Sequence, residues 1–190
     1  MTLFAGLGNP GLKYANTRHN IGFKVLDRLI DDLDAQNISK TTFKGKLYRS
    51  KDSLFLKPTT FMNLSGKSLQ AVKSFYKIDI ENIIVIHDDI DLPFAAMRIK
   101  KGGGHGGHNG LKSIDEHISK EYIRVRVGVG KPEHKSQVSD YVLHDFTIDE
   151  CQYLDKLISH ISEACKSLVS EGMNEVKSKY SLKSIESLNA

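Results

Sequence analysis

The amino-acid sequence predicts an α/β fold, a single-domain three-layer sandwich with a mixed, mostly parallel central sheet flanked by helices. Three observations lead to this expectation. Ile83–Ile86 is wholly apolar, as a strand covered on both faces must be. Segments of strand and helix periodicity follow one another as strand, helix, hairpin, helix, strand, strand, helix, strand, helix. A length of 190 residues suits one domain, spanning residues 1–190, better than two.

Thr2–Leu7 is a short apolar run ending in Gly8-Asn9-Pro10-Gly11, a buried strand that delivers a tight turn. Lys13–Asn20 is polar, and Ile21, Val25, Leu26, Leu29, Ile30 and Leu33 then recur at helical spacing, with His19 at or just before the helix start. Leu47–Arg49 and Leu54–Lys57 flank Lys51-Asp52-Ser53 as a hairpin running into Pro58. After Phe61–Gly66 a helix carries Leu69, Val72, Phe75 and Tyr76. The central strand ends at His87-Asp88-Asp89, and Met97–Lys101 is the next strand. Ile123, Val125, Val127 and Val129 alternate with Arg124, Arg126 and Gly128, so the two arginines share a face. Leu154 to Val169 form a long amphipathic helix stopped near Gly172, and residues 173–190, rich in Ser and Lys, are expected to fray.

An apolar share of 39% with 26% charged residues argues against wholesale disorder. No apolar run approaches the roughly 20 residues of a membrane span, and no basic segment precedes an apolar one at the N-terminus. The protein is therefore expected to be cytoplasmic. Its net charge of +4 permits an acidic partner such as RNA without requiring one. Cys151 and Cys165 fall in one helix, about 21 Å apart at 1.5 Å per residue. They cannot pair, and both are expected to be buried, inert thiols.

The stretch Gly102–Gly110, GGGHGGHNG, places six glycines in nine residues around His105, His108 and Asn109. It joins a strand to a helix, and glycine leaves backbone N–H groups open to a bound group. Asn9, Asp88 and this loop all follow predicted strands, where ligands gather in such sheets. Asn9, Asn63 and Asn109 each sit beside turn-making residues, which suits a structural role singly and a peptide- or ester-binding role jointly. No G-x-S-x-G elbow is present and the cysteines lie on the wrong element, leaving water as the nucleophile. His19 could activate it if Asp88 fixed its tautomer, with oxyanion donors from an Asn side chain or the glycine-rich helix start. A capping or surface role for His19 stays open.

Gly6-Leu7-Gly8-Asn9-Pro10-Gly11 satisfies G-x-G-x-x-G, but about eight polar residues intervene before the helix and Pro10 removes a donor. That argues against a dinucleotide site. His105 and His108, with His87 and Asp88, lack helical ligand spacing and a completing cysteine. No metal and no cofactor is expected.

The motifs GLGNPG (Gly6–Gly11), TRHNIGF (Thr17–Phe23), KPTTFMNLSG (Lys57–Gly66), HDDIDLP (His87–Pro93), KKGGGHGGHNGLKSI (Lys100–Ile114) and RVGVGKP (Arg126–Pro132) together resemble the bacterial peptidyl-tRNA hydrolase family. The resemblance covers nearly the whole chain. It implies cleavage of the ester between a peptide and the 3′ ribose of tRNA, recycling tRNA from aborted translation. It implies His19 as the base acting on water, Asp88 as its partner, and Asn9, Asn63 and Asn109 placing peptide and water. Tyr14, Met62 and His108 resemble further crevice residues, and Lys100 and Arg126 match positions that clamp a tRNA phosphate, although a solvated strand arginine is an equal alternative for Arg126. The implied partner is peptidyl-tRNA, through its acceptor stem and 3′ CCA end, met by a monomer. Phe94-Ala95-Ala96 stands where the family often has Pro-Gly, and Lys131–Lys135 also departs from its pattern, so two rim loops are expected to differ. The polar stretch Lys131–Tyr141 is a candidate lid. The competing reading is a non-catalytic RNA-binding protein on the same fold.

Overall fold

The strand β1 (Thr2–Gly6) lies at the centre of a seven-stranded sheet in the computed structural model, which describes residues 1–190. The other strands are β2 (Gln36–Asn37), β3 (Gly45–Ser50), β4 (Ser53–Pro58), β5 (Ile83–Asp89), β6 (Met97–Lys101) and β7 (Ile123–Gly128). Their order is β2-β3-β4-β1-β5-β7-β6. The four central strands β4, β1, β5 and β7 run parallel, while β2, β3 and β6 join through antiparallel pairings. The sheet is mixed with a parallel centre, as a chain of crossover helices plus one hairpin requires.

Two helical layers cover it. On one face α1 (Ile21–Asp32) and α5 (Ile148–Ser170) bury Ile21, Val25, Leu26, Leu29, Leu157, Ile161 and Cys165 against Phe4, Ile84, Ile86 and Val125. On the other, α2 (Ser65–Tyr76) and α3 (Asn109–Ile118) bury Leu69, Val72, Leu111 and Ile114 against Leu3, Ala5, Leu56 and Val85. Because alternate strand residues feed opposite layers, the central strands are apolar on both sides. Thr147 starts α5 as a capping box with Glu150.

Two seams fix the layers closely. A Cβ on Gly22 would stand 2.4 Å from the Ile86 carbonyl oxygen, and one on Gly6 would stand 2.3 Å from the Gly22 carbonyl oxygen. Gly6, the first glycine of the apparent dinucleotide motif, therefore serves backbone contact between the sheet and Gly22 of α1. Gly66 similarly abuts the Ser113 carbonyl across α2 and α3, and its N–H donates to Ser113 Oγ at 2.9 Å.

The structure departs from expectation at three places. Residues 173–190, read from sequence as a tail, form α6 (Met173–Tyr180) and α7 (Ile185–Asn189) and send Val176, Leu182 and Leu188 into the core, with Leu182 bridging to Met97. Single apolar anchors in a Ser- and Lys-rich stretch carry no periodic signal, yet each one buries completely or nearly so. Cys151 is exposed rather than buried, whereas Cys165 is enclosed and its thiol pKa is pushed up to about 12 by burial. Val138–Val142, in the polar stretch after Lys131, forms the short helix α4.

Candidate active site

The carboxyl ends of the parallel strands open onto a crevice of about 750 Å³. β1 delivers Asn9 in the turn after it, β5 ends at Asp88, and the loop after β4 brings Met62 and Asn63. His19 sits in a 3-10 turn, Arg18–Asn20, that leads directly into α1. The Gly22 seam therefore sets the height of His19 above the strand ends. Asn9, His19, Met62, Asn63, Asp88, Lys100, His108, Asn109 and Arg126 all line the crevice. Tyr14 is not among its lining residues; it stands half-buried in the turn Leu12–Tyr14.

Asp88 is buried and holds two imidazoles, with His19 Nδ1 at 2.8 Å from its Oδ2 and His108 Nε2 at 2.7 Å from its Oδ1. The protons can be assigned from the surrounding donors. His108 is the N-cap of α3, and its Nδ1 accepts from the N–H groups of Gly110 (3.1 Å) and Leu111 (3.3 Å). A nitrogen facing two N–H donors carries no proton, so the His108 proton sits on Nε2, which donates to Asp88. His19 donates from Nδ1, which leaves its Nε2 as the basic nitrogen. Burial favours the neutral His19, but the charge of Asp88 and its hydrogen bond outweigh this and hold the pKa above 6.5. Burial likewise opposes ionisation of Asp88, and its two imidazole partners overcome that penalty and keep the carboxyl well below the usual range. His87, behind them, donates from Nδ1 to the Asp88 carbonyl at 2.8 Å and packs edge-on to the His108 ring. Its pKa is lowered to about 4, chiefly by burial.

The α3 start is one of the two candidate sources of oxyanion donors, beside an Asn side chain. His108 consumes the N–H groups of Gly110 and Leu111 there. The glycine loop is held from beneath by Arg124, whose guanidinium donates to the carbonyls of Gly103 and Gly104, reaches Asp115 Oδ1 at 3.4 Å and stacks on Tyr122. Gly102, Gly103, Gly106 and Gly107 have positive φ (67°, 100°, 60° and 85°), which explains why the loop needs glycine.

Asn9 is the best-anchored of the three predicted crevice asparagines. Its Oδ1 accepts from Met62 N–H at 2.8 Å, so its Nδ2 is a donor without a protein partner. Asn20 grips the Asn9 backbone from both sides, accepting from its N–H and donating to its carbonyl, each at 2.9 Å. Sequence reasoning missed Asn20, although it adjoins His19 in the TRHN motif. It also passed over Arg124 as a site residue, for which the shared face with Arg126 was the available signal. Asn63 and Asn109 are exposed on the crevice wall.

Lys100 faces Arg124 across the β6–β7 ladder, and Arg126 lies two residues further on the same face. Lys100 is exposed, its Nζ lying over Gly103. Arg126 is half-buried and donates from Nε to Asp89 Oδ2 at 2.7 Å, which leaves its Nη groups as the donors toward the rim. His19, Asp88 and His108 keep their ligand-type atoms within 4.8 Å of one another, as a metal site would. Both carboxylate oxygens are already committed to N–H donors, so the arrangement is a hydrogen-bonded relay.

Fold and crevice define a class: an α/β sandwich with a histidine–carboxylate pair, suited to activating water, at the carboxyl ends of its parallel strands. The family model described as peptidyl-tRNA hydrolase matches residues 3–187. A peptidyl-tRNA hydrolase of a Sulfurovum species is 70% identical over 99% of this chain and 100% of its own length. That of Sulfurimonas denitrificans is 56% identical, covering 95% of this chain and 97% of its own. The crystal structure of peptidyl-tRNA hydrolase from Acinetobacter baumannii superposes with a TM-score of 0.91 at 36% identity, covering 96% of this chain and 95% of that one. The chain belongs to the peptidyl-tRNA hydrolase family.

Proposed function

We propose that this crevice hydrolyses the ester joining a peptide to the 3′ ribose of tRNA, returning tRNA from aborted translation, with His19 as general base. The carrying observation is the buried His19–Asp88 hydrogen bond, which leaves His19 Nε2 unprotonated beside a substrate-sized cleft. His19 takes a proton from water as the water attacks the ester carbonyl, and Asp88 stabilises the imidazolium that forms. The oxyanion is met by Asn9 Nδ2, and the ribose oxygen leaves, reprotonated by His19. Asn63 and Asn109 hold peptide carbonyls and N–H groups, and Met62 packs beside them. His108 acts through Asp88. General-base help contributes about 10²–10⁴-fold and one oxyanion donor about 10²–10³-fold.

Lys100 and the Arg126 Nη groups supply cations for a phosphate of the acceptor stem when the 3′ CCA end enters the crevice. Tyr14 stays outside the substrate-contacting set. The protein acts as a cytoplasmic monomer, and the family membership supports an enzyme whose substrate is peptidyl-tRNA. No helix is long and apolar enough to cross a membrane.

The test is release of deacylated tRNA from N-acetyl-aminoacyl-tRNA by wild type and His19→Ala. A loss above about 10²-fold with tRNA binding intact supports the base. Binding without turnover by wild type would instead support an RNA-binding protein on this fold.

A further inference from the structure

The wall of the crevice formed by α4 has little core of its own. α4 buries only Val142, yet it and the residue after it supply Val138, Val142 and Leu143, three of the seven apolar residues lining the cleft. Its apolar packing is limited to Val142 and to Tyr141, which packs against the main core, and polar ties supplement it. Arg18, the residue before His19, makes such ties. Its Nη1 donates to the Tyr141 carbonyl at 3.1 Å, and its Nη2 donates to Glu150 Oε1 at 2.9 Å. Its guanidinium lies 4.1 Å from the centre of the Tyr141 ring. The Tyr141 hydroxyl in turn donates to the Val129 carbonyl at 2.6 Å, just beyond β7. The backbone adds to the join, with Arg18 N–H donating to the His144 carbonyl and Thr17 bridging to Asp145.

We infer that Arg18 is a positioning residue that sets the apolar α4 wall for the peptide part of the substrate. The inference rests on the function proposed above. The tRNA end is polar and anionic, so an apolar wall serves the peptide, whose side chains are the apolar component. Arg18 is 6% exposed and touches no crevice space, so it acts only through α4 and the α5 start. Lysine at this position keeps the charge but lacks the planar fork that meets a carbonyl and a carboxylate together while stacking on a ring.

The experiment compares steady-state kinetics of wild type and Arg18→Lys on N-acetyl-glycyl-tRNA and N-acetyl-diphenylalanyl-tRNA. The expected result is a KM raised about tenfold for the diphenylalanyl substrate, the scale of one lost charge-assisted hydrogen bond, with a smaller rise for the glycyl one. In the same variant kcat stays within about threefold and the midpoint of its pH profile does not move. A fall in kcat at fixed KM, or a moved midpoint, would mean that Arg18 acts on His19 and would overturn the inference. Equal effects on both substrates, or none, would overturn it as well. If Arg18→Lys does not fold, Tyr141→Phe cuts the tie to Val129 and must give the same substrate-dependent KM rise. Absence of turnover by wild type refutes the proposed function itself, a separate outcome.

Discussion

Replacing Asp88 by Asn tests the proton assignment, because the site offers only one way to accommodate an amide. Both partners of Asp88 are donors, His19 through Nδ1 and His108 through Nε2. His108 cannot change tautomer, since its Nδ1 is occupied by the N–H groups of Gly110 and Leu111. The new carbonyl oxygen must therefore face His108, and the new NH₂ must face His19. His19 then accepts at Nδ1 and carries its proton on Nε2, the atom that has to receive one from water. The developing imidazolium also loses a carboxylate, worth about 4 kcal/mol at about 4 Å with an effective dielectric of about 20. Together these effects lower kcat by about 10³–10⁴-fold with KM within about threefold. In wild type, kcat rises with pH through a midpoint above 6.5, because His19 must be neutral to act and Asp88 raises its pKa. In Asp88→Asn burial acts unopposed and the midpoint drops below that value. Adding His108→Ala frees the amide to turn its oxygen toward His19, so the double variant should recover about tenfold over Asp88→Asn. The assay is single-turnover release of tRNA across pH 5–9. A kcat loss under about tenfold, or a double variant no better than Asp88→Asn, would refute the tautomer argument.

Two further outcomes follow from the same geometry. Asn9→Asp keeps the acceptor for Met62 N–H but replaces the free donor with an anion, so kcat should fall by about 10²–10³-fold in the same assay while the melting temperature changes little. His87 is held neutral in the fold with a pKa of about 4, against 6.5 when unfolded. Between those values the unfolded chain binds a proton that the folded one refuses, so stability is lost as pH falls from 6.5 to about 4, by about 3 kcal/mol. Denaturant titrations should show this slope in wild type and a flatter one in His87→Asn, which cannot titrate.

The elements that periodicity describes were legible in the sequence. Met97–Lys101 is observed as read, and the apolar run Ile83–Ile86 is the core of β5, extended through Asp89. What was not legible depends on single contacts. β2 has two exposed residues, α4 one buried residue, and α6 and α7 one apiece, too few to generate a pattern. The crevice was legible because Asn9, Asp88 and the glycine loop each follow a strand, and parallel strands bring their ends together. The role of His108 was not, since it depends on which nitrogen faces α3. Asn20 and Arg124 act on backbone atoms of remote segments, and no local motif announces such a bond. Gly6, legible as part of a nucleotide signature, proves to be spacing for α1.

The imidazole at position 108 both caps a helix and holds the carboxylate that bonds His19, the proposed base. Helix ends open far more readily than whole domains. If the first turn of α3 unwinds, the amides that fix the ring let go, and the acid–base geometry loosens while the rest of the sandwich is intact. Under the proposed mechanism catalytic rate is coupled to a local equilibrium at one helix terminus, and warming should silence the enzyme before it melts.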